Sequence, residues 1–196
     1  MSSLVDSVNP RPCIVWFTGL SGAGKTTIAQ VVKEVLAAHG QPAFLLDGDS
    51  IRKGLSSDLG FSAVDRSENL RRAAHVAALV ADAGFVVLAA FITPTRADRA
   101  MVRTQLVGYR FIEAFVDTEL AVAEARDPKG LYRRARRGEI PNFTGISAPF
   151  EVPDSPEMRL ETKLRSVDEL AALVVDEVIA GGSHTGAARC GRGSIA

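Results

Sequence analysis

The chain has 196 residues, 46% of them hydrophobic, and its 23 lysines and arginines balance its 23 aspartates and glutamates. This length suits one domain that buries most of its apolar surface, and the balanced charge gives no global basic field for binding nucleic acid. No apolar run approaches the length of a membrane span, and no secretory signal pattern opens the sequence. The two cysteines, Cys13 and Cys190, fit no metal or redox spacing. We therefore expect a soluble cytoplasmic protein with neither nucleic-acid nor membrane partners.

Short apolar runs alternate with longer amphipathic segments along the chain, a pattern typical of strands alternating with helices. The predicted strands are 14–18, 43–46, 85–91, 111–116 and a short one at 158–160. The predicted helices are 25–39, 66–83, 97–107, 119–126 and 167–180. This alternation predicts an α/β fold of three layers, in which a mainly parallel sheet carries helices on both faces.

Three segments depart from the alternation. Residues 1–11 are predicted to be a flexible N-terminal segment before a domain at 12–180, and the Gly-, Ser- and Ala-rich residues 181–196 a disordered tail. Residues 127–157 hold five of the nine prolines and four arginines between 133 and 137. We expect irregular chain there, with the arginines on a solvated helix face.

Residues 19–26 read Gly-Leu-Ser-Gly-Ala-Gly-Lys-Thr, a complete phosphate-binding loop (P-loop) between the first predicted strand and helix. Its glycines let the backbone approach phosphate oxygens, Lys25 can reach the β- and γ-phosphates, and the Thr26 hydroxyl can ligate Mg²⁺. The alternative is a chance glycine turn before an ordinary helix, which the matching strand and helix disfavour. The motif predicts nucleoside triphosphate binding and a P-loop NTPase-like fold.

Asp47 and Asp49 follow the second predicted strand, at the edge where doubly wound sheets gather their ligands. The two carboxylates share a face only if the backbone stays extended through Gly48. One near Mg²⁺ and one near an acceptor hydroxyl would suit phosphoryl transfer. A surface Asp-Gly turn is the alternative.

A dense polar stretch comes next and includes Arg52, Arg66 and Asn69. Arginine binds phosphate or sulfate through two parallel hydrogen bonds, and asparagine can bind a base or ribose edge. A solvated helix face with ordinary ion pairs explains the same residues equally well. Phe61 is a candidate for stacking on a base, or for packing in the core.

Six segments together resemble the adenylylsulfate kinase family in order and spacing, over residues 12–165. They are GLSGAGKTT, LDGDSIRKGL, DLGFSAVDRSENLRR, FITPTRADR, RDPKGLYRRAR and GEIPNFTGISAPFEVP. The resemblance implies ATP-dependent phosphorylation of the 3′-hydroxyl of adenosine 5′-phosphosulfate (APS). The products would be ADP and 3′-phosphoadenylyl sulfate (PAPS), in sulfate assimilation.

The resemblance also implies roles for individual residues. The ATP phosphates and Mg²⁺ would be held by Gly22, Ala23, Gly24, Lys25, Thr26 and Thr27, with Thr26 on the metal. The catalytic residues would be Lys25, Asp47, Asp49 and Lys129. Asp49 would orient or deprotonate the acceptor hydroxyl, Asp47 would support a metal-bound water, and Lys129 would reach the transferring phosphate.

The acceptor nucleotide would also be bound by residues spread over several segments of the chain. Arg52, Arg66 and Asn69 would grip the phosphosulfate and ribose, Phe61 and Phe143 would sandwich the adenine, and Ile92, Thr93 and Asn142 would complete the pocket. Residues 127–147 would form a lid that closes over both nucleotides. A homodimer and functional coupling to an ATP sulfurylase are further implications.

The chain departs from the family pattern at three positions. Thr93 stands where serine is common, Ser50 where asparagine is usual and Phe150 where tyrosine is usual. Thr93 keeps a hydroxyl, so its hydrogen bonding should survive, and direct transfer between two nucleotides needs no phosphorylated protein intermediate.

Two alternatives to an adenylylsulfate kinase stay open from the residues. One is a small-molecule kinase of the same fold with another acceptor, which would not require the acceptor-site segments of this chain. The other is a regulatory nucleotide-binding module, which would be expected to lose Lys25, Asp49 or Lys129.

Overall fold

The computed structural model describes residues 12–181, which form a five-stranded parallel sheet. The strands are β1 (Cys13–Thr18), β2 (Ala43–Asp47), β3 (Val86–Ala90), β4 (Arg110–Asp117) and β5 (Met158–Glu161). Their spatial order is β2-β3-β1-β4-β5, so the strand that leads into the P-loop is central. All four strand pairs are parallel, which brings their carboxyl ends to one edge of the sheet.

Seven helices connect and follow these strands within residues 12–181. They are α1 (Lys25–Ala38), α2 (Gly48–Lys53), α3 (Ala63–Asp82), α4 (Arg96–Gln105), α5 (Leu120–Arg126), α6 (Leu131–Arg136) and α7 (Val167–Ala180). None of the helices in this part of the chain is long and apolar enough to cross a membrane.

Two buried clusters lie on opposite faces of the sheet, because successive side chains of a strand point to opposite sides. Val15 and Phe17 of β1 pack into a cluster that includes residues of α1 and α7. Ile14 and Trp16 pack into a second cluster with residues of α3 and α4. The predicted three-layer α/β fold is therefore confirmed.

The structure corrects the sequence interpretation at two short helices. The backbone does not stay extended through Gly48, because α2 begins there and the Asp47 side chain caps it by accepting the Asp49 amide at 2.9 Å. Residues 127–157 are not irregular throughout, because helix α6 occupies Leu131–Arg136. The predicted helix 66–83 begins earlier, at Ala63, because Ser62 caps its first turn.

Other predicted boundaries agree closely with the observed strands and helices. The predicted segment 1–11 and all but the first residue of the predicted tail 181–196 lie outside the described residues, and that first residue, Gly181, directly follows α7.

Candidate active site

The P-loop joins the buried strand β1 to helix α1 at the carboxyl edge of the sheet. Helix α1 begins with no side-chain cap and with no acidic residue in its first turn. Its first N–H groups are therefore available to an anion, and the helix dipole favours negative charge there. Gly19 has a φ of 146°, and a Cβ at this position would lie 2.6 Å from the Val116 carbonyl oxygen. Only glycine fits this close approach of the loop to β4.

Lys25 is buried at the start of α1, and its Nζ donates to the carbonyl oxygens of Gly19 at 2.9 Å and Leu20 at 2.7 Å. Burial lowers the pKa of the Lys25 ammonium to about 7, and the positive charge of Lys129 acts in the same direction. The carboxylates of Asp47 and Asp49 oppose this shift. A phosphate group in the loop would favour the charged form of Lys25.

Thr26, in the first turn of α1, contacts Asp47, the last residue of β2. The Thr26 hydroxyl donates to Asp47 Oδ2 at 2.9 Å, while Asp47 Oδ1 accepts the Asp49 amide. Asp47 is therefore held both by the P-loop helix and by its own capping contact with α2. A hydroxyl and a carboxylate are hard oxygen donors of the kind that Mg²⁺ prefers.

Asp49 forms an ion pair with Lys129, which lies 80 positions later in the chain. Both side chains are more than half exposed. The contact joins the first turn of α2 to the segment 127–147, so two of the predicted catalytic residues are brought together by the fold.

The segment 127–147 also contacts the P-loop and α3. Tyr132 donates its hydroxyl to the Ser21 carbonyl oxygen at 2.9 Å and packs edge-to-face against Phe143 with ring centroids 5.0 Å apart. Arg66 donates to the Asn142 carbonyl oxygen at 2.5 Å and to the Thr144 hydroxyl at 3.0 Å. These contacts place the segment over the carboxyl edge of the sheet.

The two predicted stacking aromatics have different surroundings. Phe143 is buried in the core cluster beside Tyr132, whereas Phe61 is 59% exposed. The Arg52 guanidinium lies 4.6 Å from the Phe61 ring centroid and donates to the Gly60 carbonyl oxygen at 2.9 Å. No ring contact joins Phe61 to Phe143 within residues 12–181, and their sandwich around an adenine stays a prediction.

Asn69 lies on α3 and is 4% exposed, and its Oδ1 has no hydrogen-bond partner among the described residues. An unpaired buried carbonyl oxygen is costly, and such atoms in a native protein are commonly satisfied by a ligand or water. This side chain is therefore suited to accept a hydrogen bond from a bound molecule.

Ile92 and Thr93 follow β3, between the P-loop and the turn that carries Asp47. The Ile92 carbonyl oxygen accepts the Gly19 amide at 3.3 Å, which ties this loop to the P-loop. The Thr93 hydroxyl is buried and accepts a hydrogen bond from Trp16 Nε1 at 2.8 Å. The Thr93 hydroxyl therefore bonds toward the protein interior, and a role of Thr93 in an acceptor pocket stays a prediction.

Sequence reasoning missed several residues that support the site. Thr118 donates to the Ala23 carbonyl oxygen at 3.1 Å, Tyr132 contacts Ser21, and Arg99 contacts Thr93. The partners of Thr118 and Tyr132 are 95 and 111 residues away in the chain, so no local spacing indicated them. Arg99 and Thr93 are 6 residues apart and meet at the turn from β3 into α4.

The comparisons with known proteins agree with this geometry. The family model described as adenylylsulphate kinase matches residues 11–161, more than half of the chain. The adenylyl-sulfate kinase of Marinobacter nauticus is 54% identical over 172 residues, which cover 88% of this chain and 84% of the relative. That of Citrobacter koseri is 57% identical over 166 residues, which cover 85% and 82%.

A comparison with solved structures also finds an adenylylsulfate kinase. The APS kinase of Mycobacterium tuberculosis in complex with AMPPNP and APS has a TM-score of 0.84 and 50% identity, covering 87% of this chain and 99% of that one. The shikimate kinase of Acinetobacter baumannii in complex with shikimate, at 16% identity and a TM-score of 0.52, shares the fold alone. The chain belongs to the adenylylsulfate kinase family.

Proposed function

We propose that this protein transfers the γ-phosphoryl group of ATP to the 3′-hydroxyl of APS, forming ADP and PAPS in sulfate assimilation. The observation that carries the proposal is the meeting of the P-loop with the Asp47–Asp49 turn, through the 2.9 Å contact of Thr26 with Asp47. It sets a phosphate-binding loop beside carboxylates that can serve an acceptor hydroxyl. The 50%-identical relative solved with AMPPNP and APS supports APS as that acceptor.

ATP would bind with its phosphates in the loop formed by Gly22, Ala23, Gly24, Lys25, Thr26 and Thr27. The uncapped start of α1 supplies N–H donors, and Lys25 supplies a positive charge that is buried among backbone carbonyls. Because charge on the transferring group is spread over its oxygens, these fixed donors would stabilise it where it develops.

Magnesium fits the donors at this edge of the sheet. Thr26 would hold the ion through its hydroxyl, and Asp47 would hold a metal-bound water. Residues 12–181 contain no group of three or more His, Cys, Asp and Glu side chains that could hold a metal ion. The ATP phosphates and water would therefore supply most of the Mg²⁺ ligands. The bound ion would neutralise negative charge on the ATP phosphates.

Asp49 would orient the acceptor hydroxyl and take up its proton. The 3′-oxygen would form a bond to the γ-phosphorus while the bond from that phosphorus to the β–γ bridging oxygen breaks, in line with it. Lys129 contacts the Asp49 carboxylate, and from there its ammonium would reach the transferring phosphoryl group. The transfer is direct and needs no phosphorylated protein residue.

The acceptor would bind between α2, α3 and the segment 127–147. Support comes from the unpaired buried oxygen of Asn69 and from the contacts of Arg66 with residues 142 and 144. We assign the phosphosulfate, ribose and adenine to Arg52, Phe61, Arg66, Asn69, Ile92, Thr93, Asn142 and Phe143. The segment 127–147 would act as the lid that excludes water.

The first test is ADP release on mixing the purified protein with Mg-ATP and APS, with AMP as the parallel acceptor. Release with APS and not with AMP is the expected result, and it would also show that the sulfate group is recognised. Tight ATP binding without release on APS would refute the proposal and favour a regulatory nucleotide-binding role.

Asp49→Asn tests the assignment of the acceptor-orienting group. We expect kcat to fall by about 100-fold or more, with the affinity for ATP nearly unchanged, because the P-loop contacts do not involve this carboxylate. Asp82→Asn is the matched control, since Asp82 lies at the far end of α3 and contacts Tyr109. Near-normal turnover of Asp49→Asn would remove Asp49 from this role.

We further propose a cytoplasmic homodimer with functional coupling to an ATP sulfurylase. An APS kinase of Thiobacillus denitrificans, 31% identical over 89% of this chain and 30% of that chain, is hexameric, so self-association occurs in a relative although its stoichiometry differs from the proposed dimer. Sedimentation at several protein concentrations measures the oligomeric state, and a sulfurylase added to the kinase assay tests whether the flux to PAPS rises beyond the sum of the separate rates.

A further inference from the structure

Thr93 has an uncommon backbone conformation beside the acceptor region. Its φ is 44°, in the left-handed region that β-branched residues rarely adopt. The other non-glycine residues of positive φ within residues 12–181 are Asp127 and Asn142, which tolerate this region better. The surrounding structure must therefore hold Thr93 in place.

Three side chains from two other elements supply that constraint. Trp16 of β1 donates to the Thr93 hydroxyl at 2.8 Å. Thr18, at the end of β1, donates to the carbonyl oxygens of Ile92 at 2.7 Å and Thr93 at 3.3 Å. Arg99 of α4 donates through Nη1 to the Thr93 carbonyl oxygen at 3.1 Å. The hydroxyl and the carbonyl oxygen of Thr93 thus both accept hydrogen bonds from buried side chains.

Arg99 is an unusual residue to find in this position. It is 6% exposed, its Nε lies 3.3 Å from Glu113 Oε1, and its guanidinium carbon is 5.9 Å from the Phe150 ring centroid. Its Nη2 has no partner among the described residues. Burying a charge with an unpaired donor contributes little to stability, so stability alone does not account for this arginine.

We propose that Arg99, assisted by Trp16 and Thr18, is a positioning residue that holds Thr93 in the left-handed conformation and so shapes the acceptor pocket. The inference rests on the proposed function, in which Ile92 and Thr93 line that pocket. Arg99 contacts the Thr93 carbonyl and no atom of the P-loop, so its loss should act on the acceptor and spare ATP.

The test compares Arg99→Met with Arg103→Met. Arg103 lies on the same helix and binds the same carboxylate, Glu113, at 3.1 Å, but it has no contact with residues 92–94. We expect Arg99→Met to raise the KM for APS about tenfold and to change the KM for ATP by less than about twofold. Arg103→Met should leave both KM values within about twofold of wild type.

A second substitution distinguishes positioning from general damage. Glycine adopts positive φ without steric cost, so Thr93→Gly added to Arg99→Met should recover part of the lost APS affinity. Equal increases of both KM values in Arg99→Met, no increase at all, or a further loss in the double variant would overturn the proposal.

If Arg99→Met does not fold, as judged by its circular dichroism, Trp16→Phe takes its place. This change removes the indole donor and keeps a ring stacked on Phe91, whose centroid is 5.0 Å away. A rise of several-fold in the KM for APS alone is expected, and an unchanged value would overturn the proposal. Turnover of APS by the wild type tests the proposed function independently of these comparisons of KM between variants and wild type.

Discussion

Replacing Lys25 by methionine should change how the stability of the protein depends on pH. The Lys25 ammonium is buried, and burial lowers its pKa from the ordinary value of 10.5 to about 7. Between pH 7 and pH 10.5 the unfolded chain therefore holds a proton on Lys25 that the folded protein has released. The free energy of unfolding contributed by this group therefore rises with pH, by up to about 1.4 kcal/mol per pH unit.

The magnitude follows from that slope. Below pH 7 both states carry the proton and the cost of burying the charge is fully present, whereas above pH 10.5 both have lost it. Between pH 7.5 and pH 9 the wild type should gain about 2 kcal/mol relative to Lys25→Met. The variant also leaves the carbonyl oxygens of Gly19 and Leu20 without this donor, but that loss does not depend on pH.

Urea unfolding of both proteins at pH 6, 7.5 and 9, without nucleotide, measures the difference directly. Lys53→Met is the control, since Lys53 is an exposed residue at the end of α2, and its difference from wild type should not vary in the same way. A constant difference between wild type and Lys25→Met from pH 7.5 to pH 9 would refute the reasoning that burial perturbs this lysine.

Two further predictions concern the P-loop turn and the buried thiol. Gly19→Ala should lower the free energy of unfolding by about 2 kcal/mol or more, because the alanine Cβ would lie 2.6 Å from the Val116 carbonyl oxygen at a φ of 146°. Thermal unfolding measures this change. An unchanged melting temperature would contradict the prediction and show that the loop adapts. Burial raises the pKa of the Cys13 thiol to about 11, so in a Cys190→Ser background only about one thiol in a thousand is ionised at pH 8. Cys13 should then react with a disulfide reagent only after denaturant is added, and rapid reaction of the folded protein would contradict the assigned burial.

The phosphate site could be predicted from sequence because its signals are local. The turn 19–24 needs glycine, Lys25 and Thr26 follow at a set spacing, and the flanking runs have strand and helix periodicity. The same locality explains why the strands and the helices α1 and α7 were predicted to within about one residue. It also explains the errors. Helix α2 depends on a cap by Asp47, and α6 is a short helix with two buried residues, Tyr132 and Ala135, which gives too little periodicity to predict it.

The acceptor side of the site could be predicted only as a set of candidates. Arg66 and Asn69 share one face of α3 by spacing, but a solvated surface explained them equally well from sequence. The structure resolves this, since Arg66 binds the segment 127–147 and Asn69 is buried. Their contacts with a nucleotide stay predictions.

The amino-acid sequence alone determined the layered α/β fold, the P-loop and, through its motifs, the family, because these depend on neighbouring residues and on periodicity along the chain. Only the tertiary structure decided the strand order, the pairing of Asp49 with Lys129, and the contact of Trp16 with Thr93. These features join residues far apart in sequence. They form when buried strands and helices pack together, and no local pattern specifies which distant side chains then meet.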